Sequence, residues 1–235
     1  MAQLLSKAEV QEINESKLQN KVLVVRVVIM RSLFSLSLIT CIIALLFASV
    51  IKFGVLESII CAMLFLLTCF SRKDENSQLL TLIFAAVFVL EVCVAIGSRY
   101  VIFPAVESFF VENIYAFGLQ LLVNLLLLFL VKHRMTIAVL LTRGKSASVF
   151  EKNYAEGPLY FLVMVLVFID FMALMENFLR NLDRMGVSEE TAKIFWEVTF
   201  FYDYFEYLKA VPTFLCITLL YVGLVVRTKR EPIQN

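Results

Sequence analysis

Two carboxylates stand in stretches that otherwise read as hydrocarbon. Asp170 lies near the middle of LYFLVMVLVFIDFMALMEN, Leu159 to Asn177, and Glu91 lies inside the apolar run from Leu79 to Gly97. An ionised carboxylate at bilayer depth costs a few kcal/mol or more unless it is protonated, paired, or facing water. No Lys or Arg is expected at matching depth in any span. The expected partners are therefore water, an amide such as Asn124, a cation or a proton. Asp170, Ala173 and Asn177 recur at helical spacing on one face, which suggests a polar stripe turned into a bundle. The chemistry this points to is a cation or proton pathway, or a polar pocket, formed by Asp170, Glu91, Asn124 and Asn177. The plainer alternative is that each carboxylate is a buried hydrogen-bonding or assembly residue.

A second set of polar residues falls near the ends of the apolar runs. Glu107, Glu112, Asp203 and Glu206, with Trp196, Tyr202 and Tyr204, would form an outer acidic and aromatic surface. Acidic groups there concentrate cations, and aromatics are expected in the interfacial belt of any membrane helix. Glu57 belongs at the same level, where it would face water. Ser37, Cys41, Ala44 and Ala48 form a stripe of small residues along one helix, suited to close packing within the chain or between copies.

The elements that must hold these groups follow from composition. Of 235 residues, 61% are apolar and 17% charged, too apolar for a soluble domain of this length. The apolar runs are too long and continuous for the alternating strands of a membrane barrel. The expected fold is all-α, a polytopic transmembrane helical bundle of about six spans. It divides into a polar segment over residues 1–20, one membrane domain over 21–227 and a basic tail over 228–235. Spans are expected near Leu33–Val50, Val55–Phe70, Leu79–Gly97, 104–131, Leu159–Asn177 and Ala210–Val226. Pro104 is placed where the fourth could start. Residues 132–157 are expected mainly in water, with 135–141 continuing the helix or lying along the interface. Ser188 reads as an N-cap before Glu189 and Glu190. The aromatic run 195–208 could continue as a helix into the last span, with Pro212 as a kink or a break.

Fifteen basic residues then flank one side and six the other, the six including Arg180, Arg184, Lys193 and Lys209. That bias puts both termini in the cytoplasm. The N-terminus has no cleavable signal pattern. Asn14 begins a glycosylation sequon on what would be the wrong side, and Gly144-Lys145-Ser146 lacks the first glycine of a phosphate-binding loop. The five cysteines all fall in apolar runs and read as free thiols rather than a disulfide framework.

Function classes narrow accordingly. His133 between Lys132 and Arg134 offers no nucleophile–base pair, and no His/Cys set has metal-ligand spacing. No enzyme, cofactor, metal site or nucleic-acid partner is expected. What stays open is a small transporter or channel-like protein for a cation, proton or small polar solute. Against it stands a non-enzymatic receptor or scaffold assembling with partner membrane proteins. The partners expected are the lipid bilayer and a second copy or another membrane protein. Plasma membrane and endomembrane are not distinguished.

Overall fold

A backbone in hydrocarbon must satisfy its own hydrogen bonds, and this chain does so with helices. The computed structural model describes residues 32–49, 53–142 and 153–228, and no strand occurs among them. The polar segment 1–20 with Asn14, Arg26 and Arg31, Gly144–Ser146, and the tail beyond 228 lie outside the described residues. The helices are α1, described over Ser32–Ser49, α2 (Phe53–Phe70), α3 (Glu75–Gly97), α4 (Phe109–Lys132), α5 (Arg134–Thr142), α6 (Glu156–Arg180), α7 (Glu189–Ala192), α8 (Phe200–Asp203) and α9 (Phe205–Thr228). Five of them, α1, α3, α4, α6 and α9, are long and apolar enough to cross a membrane. At 18 residues, α2 runs about 27 Å, close to a hydrocarbon thickness of about 30 Å. The fold is an all-α bundle fit for an integral membrane protein.

Central in the bundle is α6, packed along α4 and α9, while α3 packs against α2, α4 and α9. Leu159, Val163, Leu166, Ile169, Asp170 and Ala173 of α6 all point into the interior. Large apolar side chains such as Phe34, Phe65, Phe129 and Phe161 face outward, as lipid contact requires. In α1 the small stripe is used within the chain. Ala44 and Ala48 are buried in the core, Thr40 and Thr218 share a 3.2 Å hydrogen bond to α9, and Phe47 packs on Phe214. Cys41 is partly buried, and Ser37 donates back to the Phe34 carbonyl.

The structure corrects several boundaries. Past Gly97, α3 continues through a wider π turn, Ser98–Ile102, and a 3-10 turn, Phe103–Ala105. Pro104 sits in that 3-10 turn and does not open a helix; the next one starts at Phe109. The aromatic run is not one helix. It is broken into a 3-10 turn at Lys193–Phe195, the four residues of α8, and a non-helical Tyr204 before α9. Pro212 lies inside α9, which runs through it with one rung missing. Ser188 is the N-cap of α7 with Glu189 and Glu190 in the first turn, as expected, although its side chain accepts no amide; its carbonyl accepts from the Thr191 and Ala192 amides. Residues around 132–157 are not all in water, because Arg134 is only 2% exposed and Ala138 is buried. The turn before α7 closes on Gly186, whose φ of +91° suits a residue without Cβ.

Candidate functional site

Lys209 overturns the expectation that no basic residue reaches the carboxylates. A last span beginning at Ala210 would leave it in an outer loop. The helix starts at Phe205, so Lys209 sits in its second turn and is buried. Its neighbours on α9 explain the orientation. Lys209, Thr213, Cys216, Leu220, Leu224 and Arg227 are all buried and recur at intervals of three and four, one continuous inward face.

That face carries the Lys209 ammonium into the gap between α3, α4 and α6. Nζ lies 2.7 Å from Glu91 Oε1, 3.1 Å from Gln120 Oε1 and 3.5 Å from Asp170 Oδ1. An ammonium has three protons, and here three helices each present an oxygen to it. Asn124 Nδ2 donates to the other oxygen of Asp170 at 2.6 Å. Asp170 is fully buried; its Oδ1 has the 3.5 Å ion-pair contact but accepts no hydrogen bond. Asp170 lies ten residues before Arg180, about 15 Å inside that end of α6. The cluster sets two carboxyl groups, those of Glu91 and Asp170, around the single Lys209 ammonium.

Two small cavities flank the ammonium. One, of about 30 Å³, is bounded by Glu57, Glu91, Glu206, Lys209 and Thr213. It has room for about one or two waters. The other, of about 20 Å³, touches Glu91, Asn124 and Lys209. Apart from these and Thr213 and Cys216, its lining is apolar, with Leu64, Phe84, Leu127, Leu166 and Ile217 among it. Glu57, expected to face water, is 9% exposed and turned toward the first cavity. Glu206 is exposed at its rim.

The remaining sequence-expected residues divide. Asn177, two turns from Asp170, is buried but outside the cluster: it donates to the Phe110 carbonyl at 3.2 Å and accepts from Asn113 at 3.4 Å, tying α6 to the start of α4. Glu107 and Asp203 are exposed and Glu112 is half-buried, so of the outer acids Glu206 and Glu57 border the site and these three do not. The aromatics pack on each other and on cations. Tyr202 lies under the Arg180 guanidinium at 4.8 Å and beside Phe117, Trp196 lies under Lys193 at 5.8 Å, and Tyr204 stacks on Phe200. Sequence reading missed the role of Glu176, whose two oxygens accept from the Phe201 and Tyr202 amides at 2.8 and 2.9 Å and so fix the start of α8. Lys209 and Gln120 were missed as well. For Lys209 the signal was present, in the unbroken spacing from Lys209 to Arg227.

The opposite end of the bundle is closed by ion pairs. Arg227 Nε donates to Asp74 Oδ2 at 2.7 Å, and the same carboxylate caps α3 by accepting from Ser77 N at 3.2 Å. Arg134 donates to Asn76 and pairs with Glu156. Burial pushes the Arg134 guanidinium below its ordinary range and Arg227 adds to this, while Glu156 and Asp74 hold it up. Beside these pairs α9 comes close to the start of α6: a Cβ on Gly223 would meet the Ala155 Cβ at 3.1 Å. Compared with known proteins, the chain matches no family model, no curated sequence and no solved structure.

Proposed function

We propose that this chain is a small membrane transporter whose ion-binding site is the Glu91–Lys209–Asp170 cluster. The observation that carries this reading is the excess of carboxyl groups over basic ones at a buried site beside a water-sized cavity. Glu91 and Asp170 share one ammonium, and Glu57 faces it across a cavity. A buried ion network built only to hold helices together is cheapest when its charges cancel. This one is completed by one further positive charge, which a cation or proton supplies. The water-sized cavity at the Glu206 rim is an approach from one end, and the second cavity is lined mostly by apolar side chains. A site reached from one side favours a carrier, which exposes it alternately, over an open pore. The basic bias of the loops, fifteen against five once Lys209 is removed from them, puts the Glu206 end outside.

The test is ion flux into proteoliposomes holding the full chain, with Asp170→Asn and Glu91→Gln beside it and folding checked by size exclusion. A tenfold or greater loss of flux in folded variants supports the reading. Normal flux in both would exclude the cluster as the binding site. Absent flux in the unaltered protein, with partner assembly lost in the variants, would turn the reading to the scaffold alternative.

A further inference from the structure

Glu57 is a buried carboxylate at the site whose side chain has no direct partner among the described residues. It is 9% exposed, and among the described residues it makes no hydrogen bond or ion pair. Nine-tenths buried and unpartnered, it borders the cavity of about 30 Å³ that also reaches Glu91, Lys209 and Glu206. The titratable and charged groups around it are Glu91 on α3, Lys209 and Glu206 on α9, and Cys61 on its own helix, with Cys93 of α3 beside Cys61. A carboxylate so placed is ready to accept something that comes through the rim.

We infer that the transported ion is a proton and that Glu57 is its first acceptor, delivering it to the Glu91–Lys209–Asp170 cluster. This rests on the carrier reading above and names its substrate. Two features of the site favour a proton over a metal cation. A metal ion needs a shell of several oxygens around a fixed centre, and cavities of about 30 and 20 Å³ have room for little more than a water each. Moreover, the Lys209 ammonium already sits 2.7 Å from Glu91, where a metal cation would have to bind, and like charges repel there. A proton needs neither shell nor room, and it joins the oxygens already present.

The transfer balances in three steps. A hydronium at the Glu206 rim protonates the Glu57 carboxylate and leaves as water. The new O–H bond on Glu57 then breaks as the cavity water relays a proton to Glu91, returning Glu57 to a carboxylate. Lys209 gives one N–H proton to Asp170 Oδ1, 3.5 Å away, and takes the Glu91 proton in its place. Lys209 ends as an ammonium, Glu91 as a carboxylate and Asp170 as a neutral acid. One positive charge has moved from the rim to the buried site.

The experiment uses the full chain in proteoliposomes with an internal pH dye, run in parallel with radioactive sodium and potassium. Proton uptake without sodium or potassium uptake is expected, reduced at least tenfold in Glu57→Gln and partly restored in Glu57→Asp. Sodium or potassium flux without proton flux would overturn the proton while leaving the carrier reading standing. No flux of any ion from folded protein would overturn both. Proton flux unchanged in Glu57→Gln would remove Glu57 from the path. Should that variant fail to fold, dicyclohexylcarbodiimide, which modifies protonated carboxyls in apolar surroundings, is applied to the unaltered protein and the adduct mapped by mass spectrometry. An adduct on Glu57 that forms more slowly as pH rises is expected; adducts elsewhere with none on Glu57 would refute its role.

Discussion

Replacing Lys209 with methionine keeps most of the side-chain volume and deletes the charge. In the folded protein this leaves Glu91 and Asp170 facing each other across the site with no cation between them. The Lys209 and Glu91 side chains are 9% and 10% exposed and that of Asp170 is fully buried, so solvent screens little of the loss. Removing one partner of a buried pair costs about 3–5 kcal/mol, mostly as the penalty for the charge left behind. For a protein of this size that corresponds to a fall in the unfolding midpoint on the order of 10 °C. The decisive comparison is the triple variant Lys209→Met, Glu91→Gln, Asp170→Asn. With all three charges gone the penalty disappears, and most of the lost stability should return. Thermal unfolding in detergent, followed by size exclusion, measures both. A triple variant no more stable than Lys209→Met would refute the electrostatic account and assign the loss to packing.

Two further outcomes follow from hydrogen bonds that cross between elements. Glu176→Ala deprives the start of α8 of both side-chain acceptors; at about 2 kcal/mol the Phe201 and Tyr202 amides should exchange on the order of 30-fold faster while α6 keeps its protection. Unchanged exchange there would show that α8 needs no cap. Asp74→Ala removes both the Ser77 cap and the Arg227 partner and should destabilise the fold by about 3–5 kcal/mol. Asp74→Asn, which retains an oxygen for Ser77, should cost less, and equal unfolding midpoints for the two variants would contradict that division.

The helices were legible in the sequence because lipid leaves a long apolar run few alternatives. The carboxylates were legible for the same reason, since Asp170 and Glu91 interrupt such runs. Their counter-ion was not. Lys209 follows FFYDYFEYL, which reads as an interfacial belt, and a lysine at a helix end normally snorkels toward water. Here it turns inward because its helix starts four residues earlier and its face is the buried one. Arg134 was hidden in the same way, inside a basic cluster typical of a membrane flank, although Asn76 and Glu156 draw it into the bundle. Glu57 and Glu206 looked alike as acids near an outer end. Only packing against α3 and α9 separates the buried one from the exposed one.

The pairing of α3 with α9 also has a consequence for how the protein is made. Lys209 and Arg227 stand 18 residues apart on α9, five full turns, and one finds an acid on α3 and the other the Asp74 that caps it, so α9 leans on α3. In mean hydropathy α9 scores 1.9 against 2.8 for the span that contains α3, and leaving its Lys209 and Arg227 unpaired in lipid carries a cost. Entering the bilayer alone, α9 would bear that cost; entering beside a membrane-embedded α3, it meets Glu91 and Asp74 as it settles. In this sense α9 is a guest of α3, and its insertion is a step of assembly rather than of translocation alone.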